Sequence, residues 1–300
     1  MHLRRTLLAE GRGDAEIRAA LRRGTLCRVR PGAYLDAEDP QRRDTVERHR
    51  LLVAATLPLL GPGAVVGHAS AAVLHGLPVW GTSLRRVEII RERAGGGRTT
   101  ARLRLTAAPL PPGDVTVVDG VAVTSVARTV ADLARTASFE TAVTVADAAL
   151  FRGLCTTADL TDAAARAAGR RGAAGARAVA VFADRCADGP GESRSRVRMQ
   201  RFGVPPPVLQ HVVRDHRGGH VGRVDFWWPD HGVVGEFDGM EKYGRSLRGE
   251  ETVATAVLRE KHREDALRAQ PGVRAVVRWT WRDLDPFDPT ATRLRSLTTP

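Results

Sequence analysis

The chain has 300 residues, 43 % of them hydrophobic, which is ample for packed cores and long for one ordinary domain, so disorder throughout is excluded. No apolar run reaches the roughly 18 residues that span a bilayer, and the start MHLRRTLLAEGRGD has an arginine pair with no apolar stretch behind it; a secretory signal is excluded and a cytoplasmic location expected. Basic residues outnumber acidic ones 46 to 34, a net charge of +12, which favours a polyanionic partner, DNA first, with RNA left open.

The N-terminal elements are short. A helix is expected near Arg4–Ala9, and a second over Ala15–Arg23, with Asp14 as its cap and Gly24 as its stop. Strands at Leu26–Val29 and Ala33–Leu35 flank the turn Arg30-Pro31-Gly32. Helix, turn, helix and hairpin are the outline of a winged helix-turn-helix over residues 1–40. Arg18, Arg22 and Arg23 on the second helix, with Arg28 and Arg30 on the hairpin, are the candidate nucleic-acid contacts.

Residues 41–155 read as an α/β domain. A helix is expected over Thr45–Leu60, a short one within residues 67–81, strands at Arg86–Arg91, Ala101–Leu105, Val115–Val118 and Val121–Thr124, then two further helices. His68 and His75 lack a third metal ligand and read as solvated or hydrogen-bonded histidines. Thr124, Ser125, Arg128, Thr129 and Asp132 read as a capped helix start with an Arg–Asp pair at i, i+4, a phosphate site at that helix N-terminus being the alternative. Residues 156–188, rich in alanine and arginine, read as a helical connector. Cys27, Cys155 and Cys186 are too far apart for a zinc motif and read as buried free thiols.

From residue 189 to the end the order is α-β-β-β-α-β: a helix from Glu192 to Phe202, strands at Val208–Arg214, His220–Trp228 and Val233–Asp238, a long helix over Glu251–Ala269 and a strand at Val273–Thr280. A four-residue turn at 229–232 sets Trp228 against Val233 and hence Asp225 across from Glu236, with Asp238 two residues on and on the same face. Like charges so placed destabilise a plain sheet, so this trio suits a hard divalent ion, Mg²⁺ or Mn²⁺. Such an ion activates water and neutralises a scissile phosphate. Glu192 completes the acidic set as a fourth or supporting ligand. Only Lys242 and Lys261 among the 46 basic residues are lysines, and they are the candidate cationic assistants. Trp227, Trp228, Trp279 and Trp281 read mainly as packing.

Two resemblances sharpen this. LRRGTLCRVRPGAYL, SAAVLHGLPVW and DGVAVTSVARTVADLAR resemble the AbiEi family of type IV antitoxins and related regulators, over roughly residues 1–150. That implies a DNA-binding winged helix, here one helix short at its front, and a cognate toxin as partner. GESRSRVRM, GRVDFWWPD, GEFDGMEKYG, EKHREDALR and VVRWTWRDL resemble the domain family related to very-short-patch-repair endonucleases, within the PD-(D/E)XK class, over residues 189–285. That implies a restriction-endonuclease-like fold and Glu192, Asp225, Glu236 and Asp238 as its acidic set. Glu236-x-Asp238 stands where the class has Glu-x-Lys, so the lysine must come from elsewhere. The expectation is an α/β multidomain protein with an endonuclease-like C-terminal domain. The competing expectation is a non-enzymatic antitoxin or transcriptional regulator that keeps that domain as a binding module.

Overall fold

The computed structural model describes residues 1–92, 96–239 and 262–299. The chain is mixed α/β, with three sheets among the described residues. It divides into two compact units, Met1–Ala149 with Gly153–Phe182, and Leu150–Arg152 with Ala183–Pro300. No helix among the described residues is long and apolar enough to cross a membrane.

The first unit opens with β1 (His2–Leu3), α1 (Arg4–Ala9), α2 (Asp14–Arg23), β2 (Leu26–Arg30) and β3 (Ala33–Asp36). The three strands form a sheet in the order β1-β3-β2, so the chain begins with a strand that the sequence pattern did not suggest. Gly13 rather than Asp14 caps α2, its N–H donating to the Glu16 side chain, and Gly24 ends the helix in the left-handed region at φ 73°. Leu7, Ile17, Leu26 and Tyr34 form the small core.

A six-stranded sheet follows, in the order β6-β7-β5-β4-β9-β8, built from β4 (Val65–Val66), β5 (Val87–Arg91), β6 (Arg98–Thr99), β7 (Leu103–Ala107), β8 (Val115–Val118) and β9 (Val121–Thr124). Helices α3 (Thr45–Thr56) and α4 (His68–Leu74) precede β5, and α5 (Val126–Thr136) and α6 (Phe139–Phe151) follow β9. The expected connector is two helices, α7 (Thr157–Arg166) and α8 (Ala173–Phe182), which pack on α5 and fall within the first unit through Phe182. Their alanines are the reason: Ala163, Ala164, Ala176 and Ala180 are buried, and small side chains let helix backbones approach.

The second unit contains α9 (Pro190–Arg201), β10 (Val208–Arg214), β11 (His220–Trp228), β12 (Val233–Asp238), β13 (Ala275–Thr280) and α10 (Asp288–Thr298). Its sheet runs β10-β11-β12-β13, with β12 and β13 parallel and the other pairs antiparallel. Of the long helix expected at 251–269, residues 262–268 are helical and 251–261 lie outside the described residues. The final helix α10 was not foreseen; its Ala291 and Leu294 close the core around Trp279, Phe226 and Phe237. The opposite face holds Val213, Val224, Val234, Val276 and Leu267.

Candidate functional site

The second sheet carries an irregularity at the site. In a strand, residues two apart share a face. Val224 and Phe226 do not: Val224 packs with Leu267 on one face, and Phe226 packs with Trp279 on the other. The change of face falls at Asp225. Opposite it, the β10–β11 pairing passes from Leu209↔Phe226 to His211↔Val224, and Gln210 adopts φ 51°. A non-glycine residue with positive φ is uncommon and marks a constrained position.

The expected register holds as far as it goes, with Trp228 opposite Val233 and Phe226 opposite Gly235. The next rung, Asp225 with Glu236, is not part of the backbone ladder. Instead the Asp225 carboxylate accepts a hydrogen bond from the Phe237 N–H at 2.8 Å. Asp225 thereby sits against the peptide between Glu236 and Asp238.

Helix α9 brings Glu192 to the same place. Pro190 occupies its first turn, where a missing N–H costs nothing. Gly191 lies against the Phe237 ring so closely that a Cβ there would stand 1.9 Å from a ring carbon. Only glycine permits that approach, and it positions the next residue, Glu192, over β10. The Glu192 carboxylate accepts from the Gln210 amide at 2.8 Å and from the Asp188 N–H at 3.1 Å. The same Gln210 nitrogen lies 3.5 Å from Asp225. Burial, then the nearby Asp225 charge, push the Glu192 carboxyl up to about 7. The Gln210 carbonyl oxygen is buried and has no hydrogen-bond partner.

Glu236 behaves otherwise. It projects toward the face that carries Val234, where its two oxygens meet Arg263 and Arg278, each at 2.7 Å. Arg278 lies directly beside it in the parallel register, and Arg278 also reaches Glu264 at 3.2 Å. The expectation that Asp225, Glu236 and Asp238 form one ligand set needing a cation is therefore corrected. Glu236 already has two guanidinium partners, and among the described residues no three His, Cys, Asp or Glu side chains converge on a metal-sized centre. The cluster that does form is Glu192, Gln210 and Asp225, with the Gln210 amide nitrogen against the two carboxylates. Lys242 and Lys261 lie outside the described residues.

Sequence reasoning missed Gln210, Arg263 and Arg278. Gln210 carries no chemical signature in sequence, since its role rests on an unusual backbone conformation. Arg263 stands two residues after Lys261, and only the packed helix shows that it, rather than its neighbours, faces Glu236. The tryptophans pack as expected: Trp228 and Trp279 are buried, their indole N–H groups donating to the Pro205 carbonyl and the Ser195 hydroxyl. Trp227 stacks on His211, and Trp281 meets Phe237 edge-on with Arg194 over its ring.

In the first unit, Arg18, Arg22, Arg23 and Arg28 are exposed. Arg30 differs from the expectation that it faces a nucleic acid. Its guanidinium donates to the Ala55 carbonyl on α3, and burial lowers its pKa. The Arg128–Asp132 pair forms as expected at 2.7 Å, with Asp114 as an unforeseen second partner at 2.5 Å. His75 bonds to the Thr124 carbonyl, whereas His68 is buried with Nε2 unpartnered. Of the three thiols, Cys27 and Cys155 are partly buried but Cys186 is exposed, against the expectation that all are buried.

No family model matches the chain. It is similar to two uncharacterized proteins of Mycobacterium tuberculosis, one from each of two strains, both 37 % identical over 124 residues. The match covers 41 % of this chain and 45 % of each relative, so less than half of either protein is shared.

Proposed function

We propose that the second unit is a metal-dependent, endonuclease-like domain of the PD-(D/E)XK class acting on phosphodiester bonds, brought to DNA by the helix-helix-hairpin segment, read as a winged helix. The observation that carries this is the Glu192–Gln210–Asp225 cluster. Two carboxylates, that of buried Glu192 and that of half-buried Asp225, meet at the Gln210 amide nitrogen where β11 changes face. Paired carboxylates offer the oxygen ligands that Mg²⁺ or Mn²⁺ prefers. When bound, such an ion supplies positive charge to a scissile phosphate and acidifies water.

The chain's own residues do the rest. Asp225 is held in one orientation by the Phe237 N–H. Glu192, with its carboxyl near 7, can take up or release a proton at neutral pH, as a general base requires. Arg263 and Arg278 provide cations beside Glu236, the role that the class gives to a lysine. Exposed Arg18, Arg22, Arg23 and Arg28 contact backbone phosphates and position the duplex.

A second reading has its own support. Glu236 spends both oxygens on arginines, the state expected of a nuclease-like fold retained as a binding module in an antitoxin or regulator. Plasmid and single-strand cleavage in Mg²⁺ or Mn²⁺, comparing wild type with Asp225→Asn, separates the two. The enzyme reading expects cleavage that the variant abolishes with DNA binding intact. Absence of cleavage in both proteins, with equal DNA binding, supports the regulator.

A further inference from the structure

The first unit contains a cavity of about 300 Å³ that the nuclease reading leaves unused. Its polar wall is made by His68, Arg128, Asp132, Arg135 and Arg170, and its apolar wall includes Ile90 and Pro109. The size lies at the lower end of small-molecule sites, and a mostly apolar wall with a few convergent polar groups is their usual construction.

The polar wall is unbalanced in charge. Asp114 and Asp132 are buried, and each carboxylate engages two guanidiniums. Asp114 meets Arg128 at 2.5 Å and Arg166 at 3.0 Å. Asp132 meets Arg128 at 2.7 Å and Arg135 at 3.0 Å. All four carboxylate oxygens are thus spent. Arg170 adds a fourth guanidinium with no ion pair among the described residues, and burial together with the charges of Arg128 and Arg135 lowers its pKa. Of the charged side chains that line the cavity itself, three are guanidiniums, Arg128, Arg135 and Arg170, and one is a carboxylate, Asp132, an excess of two positive charges.

Two buried nitrogens also lack partners. Arg128 Nη2 has none, although its other nitrogens are paired. His68 Nε2 has none either; the residue is 3 % exposed and sits at φ 50°, a conformation that a non-glycine residue adopts only under constraint. A buried donor left unpaired costs free energy, so Arg128 Nη2, on a residue that lines the cavity, calls for an acceptor there.

We propose that this cavity binds a phosphate monoester. The excess of two positive charges matches a phosphate dianion, whose terminal oxygens can accept from Arg128 and Arg170 at once, and from His68 in its Nε2–H tautomer. The apolar wall receives the organic part. The group is carried either by a free small molecule, such as a mononucleotide, or by the 5′-phosphorylated end of a nucleic acid. The cavity is lined from α5 by Arg128, in its first turn, and by Asp132 and Arg135 further along.

The test is calorimetric titration of the full chain with inorganic phosphate, thymidine 5′-monophosphate, thymidine, and one oligonucleotide bearing a 5′-phosphate or a 5′-hydroxyl. Phosphate and the monophosphate should bind and thymidine should not. Arg170→Gln should weaken binding by about tenfold or more, the worth of one charge-assisted hydrogen bond. Without ligand its unfolding midpoint should stay at the wild-type value, because Arg170 has no ion-pair partner to lose. A 5′-phosphate that strengthens oligonucleotide binding, with the gain erased by Arg170→Gln, assigns the site to a nucleic-acid end. Equal binding of the two oligonucleotides beside tight monophosphate binding assigns it to a free phosphate monoester. The proposal is overturned if neither phosphate nor the monophosphate binds at millimolar concentration, if chloride competes as well as phosphate, or if Arg170→Gln binds as wild type does.

Discussion

The Asp225 carboxylate takes the Phe237 N–H at 2.8 Å, so a side chain continues the β11–β12 contact one residue beyond the last backbone rung. This makes Asp225 both a structural member of the sheet and a member of the cluster with Glu192 and Gln210. The two roles separate by substitution. Asp225→Asn keeps an acceptor for the Phe237 N–H and should unfold within about 1 kcal/mol of wild type, whereas Asp225→Ala leaves that donor unpaired and should lose about 1–3 kcal/mol. Urea titration reads the difference. Both variants should abolish metal-dependent cleavage; retained cleavage in Asp225→Asn would remove Asp225 from the chemistry.

Glu192 gives a pH signature. Its carboxyl lies near 4.5 in the unfolded chain and about 7 in the folded one, so between these values the native state holds the extra proton. The contribution of Glu192 to stability is therefore greatest below about 4.5 and falls as pH rises toward 7. The loss attributable to this residue is on the order of a few kcal/mol, because it is buried against a second carboxylate. Glu192→Gln should flatten that part of the stability–pH profile. Added Mg²⁺ should stabilise wild type above pH 7 and leave Glu192→Gln little changed. A wild-type profile already flat between pH 4.5 and 7 would show that the two carboxylates do not share one pocket.

Much of this architecture was written in local pattern. The α-β-β-β order of the second unit, the turn that sets Trp228 opposite Val233, and the antiparallel strands Val115–Val118 and Val121–Thr124 all follow from residue types with strong backbone preferences. The site was legible as a set of acids, but its grouping was not. Strand alternation put Asp225, Glu236 and Asp238 on one face, and that inference failed because β11 changes face at Asp225, a slip that depends on Gln210 at positive φ. Glu236 looked like an unpaired carboxylate because its partners, Arg263 and Arg278, come from 27 and 42 residues downstream and meet it only through helix packing and parallel strand register. The alanine-rich stretch at 156–188 read as a connector for a similar reason. Small residues carry little hydrophobic signal, yet they allow the close packing of α7 and α8 on α5.

The arginines of the first unit should divide into two classes. Arg22, Arg23 and Arg28 are exposed and their replacement by alanine should leave stability within about 0.5 kcal/mol. Each that contacts a phosphate should lower the slope of log affinity against log salt by about 0.9. Arg30→Ala should do the reverse, keeping the salt slope while losing roughly 1 kcal/mol of stability, because Arg30 is committed to the Ala55 carbonyl. Fluorescence anisotropy with a labelled duplex at several salt concentrations measures the first effect and denaturant unfolding the second. An unchanged slope in all three exposed variants would move the nucleic-acid contact elsewhere.

The Glu236 arrangement separates stability from function more sharply. Its side chain is 7 % exposed, while those of Arg263 and Arg278 are 29 % and 30 % exposed, so the acid is desolvated and its partners are partly hydrated. Glu236→Gln keeps the shape but removes the negative charge that Glu236 presents to both guanidiniums. It should cost about 1–3 kcal/mol, less than the loss of a fully buried pair because water screens the arginines. Replacing the three together, Glu236→Leu with Arg263→Met and Arg278→Met, removes the stranded charges and should recover most of that stability, since apolar groups often substitute for buried ion pairs at little cost. If Glu236 and its arginines serve only the fold, this triple variant keeps whatever cleavage the wild type shows. If they supply the cation that the Glu-x-Asp motif lacks, the triple variant folds as well as wild type and cleaves nothing, a result that misfolding cannot produce.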